Sequence, residues 1–101
     1  RWLMPGGPAV GLLHQDVSFE TVEVAFSPGD VFVLYTDGIT EAEDATGADF
    51  GQDRLVAAVR GAASRSAEAV VSAVHDAADA FRGPGPRADD ATVIAVRVPL
   101  P

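Results

Sequence analysis

The chain has 101 residues, enough for one domain and too few for two full cores. With 48% hydrophobic and 22% charged residues it has the balance of a globular chain, so a disordered tail and a fibrous repeat are both excluded. A net charge of −8 would repel a phosphate backbone, which argues against nucleic-acid binding, and the absence of cysteine removes disulfides, thiolate metal sites and thiol nucleophiles. Any metal must be held by oxygen or imidazole.

Taken in chain order, Pro5-Gly6-Gly7-Pro8 reads as a turn. From Val17 to Phe26 polar and apolar residues mostly alternate, with Val22, Val24 and Phe26 on one face, which predicts a half-buried strand. Ser27-Pro28-Gly29-Asp30 turns the chain and predicts a hairpin into Val31 to Tyr35. That run is apolar on both faces, so the expectation is a central strand covered on both sides. It is also the longest unbroken apolar run, far short of the roughly 20 residues of a membrane-spanning helix. Neither a membrane span nor a signal-peptide pattern is present, and no membrane partner is expected.

Polarity returns abruptly at Thr36-Asp37-Gly38. The acid-rich stretch from Asp37 to Asp53 predicts a loop, with one helical turn after Thr40. Leu55, Val56, Val59 and Ala63 recur at helical spacing in a first helix over 53–63. Ser64 or Ser66 can cap a second, whose stripe is Val70, Val71, Val74, Ala77, Ala78 and Phe81. Gly83-Pro84-Gly85-Pro86 ends that helix. Thr92 to Val98 alternates again as a last strand. Strand runs followed by helix runs predict an α+β domain with an antiparallel or mixed sheet and the two helices packed outside it on one face.

Two acidic spots lie at strand ends: Asp37 after the second strand and Asp89-Asp90 before the last. Antiparallel neighbours would bring them together, and a hard divalent ion would relieve the repulsion between their carboxylates. On spacing alone the spots read first as a turn signal and loop-end charges, and second as oxygen ligands. Glu41, Glu43 and Asp44 read as a solvated face, and His75 and His14 as boundary residues. Arg82 and Arg87 bracket the Gly-Pro-Gly-Pro turn and could attract a phosphorylated partner, though Arg82 reads first as a charge suited to the end of its helix.

The segment from Ser27 to Ala42, SPGDVFVLYTDGITEA, with Phe50-Gly51, Arg54-Leu55 and Asp89-Asp90-Ala91-Thr92-Val93-Ile94, resembles the carboxy-terminal half of the metal-dependent protein phosphatase family. The closer similarity is to the bacterial branch typified by stage II sporulation protein E and the sigma-factor-regulating phosphatases, and Gly7-Pro8-Ala9-Val10-Gly11 resembles a glycine-bearing turn of that branch. The resemblance implies a partial phosphatase β-sandwich, with residues 1–101 as the carboxy-terminal part of one domain. It implies a two-metal centre holding Mn²⁺ or Mg²⁺, with Asp37 and Asp89 ligating one ion and no side chain serving as nucleophile. Gly38, Glu41 and Asp90 would lie around those ligands. Phosphoserine or phosphothreonine would be hydrolysed by a metal-bridging water, and the substrate would be a phosphorylated signalling protein, such as an anti-sigma-factor antagonist.

The chain starts at Arg1, and the expectation is that the amino-terminal half, carrying the bridging Asp, belongs to a longer parent. The piece alone would then turn over little phosphate and could self-associate through faces left open. The expected location is cytoplasmic. The alternative is a non-catalytic regulatory or scaffolding module of the same fold.

Overall fold

A computed structural model describes residues 2–3, 18, 21–87 and 90–101. The described elements run in the order β1 (Val31–Tyr35), α1 (Asp37–Thr40), α2 (Gly51–Ala62), α3 (Ala67–Arg82) and β2 (Val93–Arg97). The two strands pair antiparallel, from Val31 opposite Arg97 to Tyr35 opposite Val93. Helix α3 packs on both α2 and β2, giving a helix layer on one face of the sheet, the α+β arrangement expected from the residue pattern.

The core follows from the two helical stripes. Leu55 of α2 and Val70, Val74 and Ala78 of α3 are buried, as are Ile39 and Phe50, and Tyr35, Val93 and Phe81 pack at the margin. Phe50 and Phe81 meet edge to face at 5.7 Å between ring centres, and the Arg54 guanidinium sits 4.4 Å over the Phe81 ring. Arg54 also donates to the carbonyls of Asp49 (3.1 Å) and Phe50 (3.0 Å), which fixes the entry into α2. Ser66 caps α3, its hydroxyl accepting from the Ala69 amide at 3.0 Å. Gly83 ends the helix with φ of 72°, where a side chain would be strained.

Three expectations are corrected. Residues 21–26 form no regular secondary structure, and residues 17, 19 and 20 lie outside the described residues. Alternation shows which faces a segment would present, but not that a partner exists, and β1 takes β2 as its neighbour. The 27–30 turn forms as predicted, with the Asp30 amide donating to the Ser27 carbonyl at 3.0 Å. It joins β1 to the far end of β2, however, through Gly29 N–H to the Val98 carbonyl (2.9 Å) and Val98 N–H to the Asp30 carbonyl (2.8 Å). Among the described residues β1 is therefore half of a two-stranded sheet rather than a covered central strand. Leu34, Ile94 and Val96 are each more than half exposed on the face away from the helices. The helical turn, finally, covers Asp37–Thr40 instead of following Thr40.

Candidate functional site

The site grows from the place where β1 gives way to α1. Thr36 continues the sheet by donating its amide to the Thr92 carbonyl at 3.0 Å. Its hydroxyl accepts from the Thr92 amide at 2.9 Å and donates to the Asp90 carbonyl. Its own carbonyl accepts from Ile39 N–H at 3.0 Å and so opens α1. Threonine commonly caps a helix with its hydroxyl; this one holds the 90–92 segment and makes no cap bond.

Two residues on, Gly38 is buried against the same segment. A β-carbon there would stand 3.0 Å from both the Ala91 amide nitrogen and the Asp90 carbonyl carbon, and would fall on the Asp90 carboxylate oxygen. Thr36 and Gly38 thus both touch residue 90, and Asp37 lies between them at the start of α1 with its side chain exposed. Asp90 is exposed as well. Asp89 lies outside the described residues. Glu41, exposed at the end of α1, lines a groove of about 550 Å³ with Asp44, Arg82, Pro84 and Arg87.

Oxygen donors at a strand end, beside a glycine whose missing side chain leaves room for a carboxylate, fit part of a hard-cation site. No group of three or more His, Asp or Glu side chains close enough to hold an ion occurs among the described residues.

Several other charged residues have structural partners. Asp44 is more than a solvated charge: one carboxylate oxygen accepts from the Thr46 amide (2.8 Å), the Thr46 hydroxyl (2.6 Å) and the Ala48 amide (3.0 Å). The Thr46 hydroxyl, followed by the two amides, holds the Asp44 carboxyl below its ordinary range. Arg82 bonds Asp79 at 2.8 Å, and Arg87, half exposed, bonds the other oxygen of the same carboxylate. Hydrogen bonds from Arg82 and then Arg87 lower the Asp79 pKa. His75 is half-buried on α3, and His14 lies outside the described residues.

The residue that sequence reasoning passed over is Thr36. The available signal was a hydroxyl residue standing between a β-branched strand and an Asp-Gly pair, the position of a helix cap. What the pattern did not reveal is that the hydroxyl is used across the sheet.

No solved structure matches the chain. Protein IcfG of Synechocystis sp. is 38% identical over 50 residues, which is 50% of this chain and 8% of that protein, so the match spans less than a tenth of the relative's length. A family model described as stage II sporulation protein E (SpoIIE) matches residues 2–99, taking in both strands, all three helices and the Thr36–Gly38 and Asp90–Thr92 segments that meet at the sheet end. With nearly its whole length covered, the chain belongs to the stage II sporulation protein E family, of the PPM-type phosphatases.

Proposed function

We propose that this chain is the carboxy-terminal part of a metal-dependent phosphoserine or phosphothreonine protein phosphatase domain. In this reading Asp37 and Asp89 are oxygen ligands to one of two Mn²⁺ or Mg²⁺ ions, and Asp90, Gly38 and Glu41 stand around them. The observation that carries it is the double contact of Thr36 and Gly38 with residue 90, which seats the two acidic segments of a phosphatase-family chain at one end of one sheet.

Each residue has a simple task. Asp37, the exposed first residue of α1, offers a carboxylate to solvent between Thr36 and Gly38, the two residues that meet the 90–92 segment. Gly38 keeps its own volume out of the space the Asp90 carboxylate occupies. Such ions, when bound, set positive charge against the charge developing on the phosphoryl oxygens and make water more acidic. The substrate is a phosphorylated protein in a signalling system, with an anti-sigma-factor antagonist as the first choice.

The test is Mn²⁺-dependent release of phosphate from a phosphoserine protein by the natural protein that carries this chain. Asp37→Asn and Asp89→Asn should each lower the rate by roughly a hundredfold or more, the scale of losing several kcal/mol of charge stabilisation. An unchanged rate in Asp37→Asn removes the ligand assignment. A parent protein inert with both Mn²⁺ and Mg²⁺ supports a non-catalytic regulatory module.

A further inference from the structure

We infer that Thr36 is a positioning residue for this acidic site: its hydroxyl splices the sheet to α1 and sets the Asp90 segment against Asp37. The inference rests on the metal-site reading and extends it to a side chain that is not itself a ligand.

In a regular antiparallel ladder, two hydrogen-bonded opposite residues exchange both backbone bonds. Thr36 and Thr92 make one of them, Thr36 N–H to the Thr92 carbonyl at 3.0 Å. The reciprocal bond is diverted. Thr92 N–H reaches the Thr36 hydroxyl oxygen at 2.9 Å, and the Thr36 carbonyl, released from the ladder, accepts from Ile39 at 3.0 Å as the opening bond of α1. The helix can therefore begin at Asp37, one residue beyond the ladder, with no break in attachment to the neighbouring strand. The hydroxyl proton goes to the Asp90 carbonyl, so both the donor and an acceptor site of this one group are spent on the segment that carries the second acidic spot. Gly38 closes the same contact from the other side of Asp37.

Valine would match the shape of Thr36 and make neither bond, leaving the Thr92 amide and the Asp90 carbonyl without this partner. Serine would keep both. The experiment titrates Mn²⁺ into the natural protein carrying this chain, reading free ion by electron paramagnetic resonance, and follows hydrogen exchange at the Thr92 amide in the metal-free protein. Thr36→Val is expected to weaken Mn²⁺ binding by about tenfold or more, as loss of an outer partner of a metal site does, and to speed exchange at Thr92. Thr36→Ser should stay near the wild type in both readouts. If the valine variant fails to fold, Thr36→Cys, which has the size of serine but a poorly bonding thiol, carries the same comparison.

Mn²⁺ affinity undiminished in Thr36→Val or Thr36→Cys, while Asp37→Asn has lost it, overturns the positioning role and leaves the ligand assignment standing. Mn²⁺ affinity undiminished in Asp37→Asn overturns the metal reading and the positioning role together. Exchange at Thr92 then reports the sheet-to-helix splice alone.

Discussion

Gly38 is the residue at which the seating of the two acidic segments can be tested without touching a charge. It is buried, and a methyl group there would meet the Ala91 nitrogen and the Asp90 carbonyl carbon at 3.0 Å besides falling on the Asp90 carboxylate. The carboxylate can swing away; the backbone atoms move only if the loop is displaced. Gly38→Ala should therefore destabilise the fold by about 1–3 kcal/mol, the usual cost of overpacking, as measured by urea denaturation. A variant as stable as the wild type would mean that the 90–91 segment does not rest on this glycine. The end of β1 before Asp37 and Gly38 was legible in the sequence because polarity and a glycine interrupt an apolar run. The use of Thr36 was not, since it depends on which strand lies opposite, and a single residue type carries no information about that.

Among the elements, α2, α3 and β2 were legible because each shows its packing face as a period, and the end of α3 because glycine and proline stop a helix for reasons internal to the backbone. The 21–26 segment was misread because its alternation has the same period whether or not a partner strand is present. The acid-rich stretch from Glu41 to Phe50 was read as a loop with a solvated charged face, and what holds it was not legible: Asp44 folds it through three bonds to one oxygen and Glu43 bridges Asp49. This gives a signed pH dependence. The native pKa values of Asp44 and Asp79 lie below the unfolded value of 3.8, so the native state holds both carboxylates ionised more firmly than the unfolded chain does. Their contribution is fully present above that value and is lost as pH falls through the lower native values. Thermal midpoints measured from neutral pH down to about 2 should hold level with respect to these groups and then fall below about pH 4. Asp44→Ala should be less stable than the wild type at neutral pH and lose less of its midpoint on acidification. Parallel curves for the two proteins would show that the Asp44 bonds do not persist in solution.

On the scale of the whole molecule, the described residues extend only 18 Å along the shortest axis, about the depth of one helix layer on one sheet layer. That thickness follows from the register. Cross-strand partners share a face, so Val33, Tyr35, Val93 and Ala95 turn toward the helices while Phe32, Leu34, Ile94 and Val96 turn away. Along β1 the sequence is apolar on both faces, the mark of a strand meant to be covered twice; on the face away from the helices Phe26 meets Phe32 edge to face, while Leu34, Ile94 and Val96 stay more than half exposed. Three adjoining aliphatic side chains more than half exposed form a patch rather than scattered surface residues, and a patch of this kind draws apolar partners. The 101-residue chain in isolation should accordingly self-associate, its weight-average mass in sedimentation equilibrium rising above 10.4 kDa with concentration. A net charge of −8 on every copy opposes that contact, so the sign of the salt effect is fixed: added salt, which shortens the screening length to about 10 Å at 0.1 M, should strengthen association. An assembly held by ion pairs would loosen instead. Leu34→Lys combined with Ile94→Lys should return the mass to that of one chain. A wild-type chain that stays monomeric at every concentration and salt would show that residues beyond those described already cover this face.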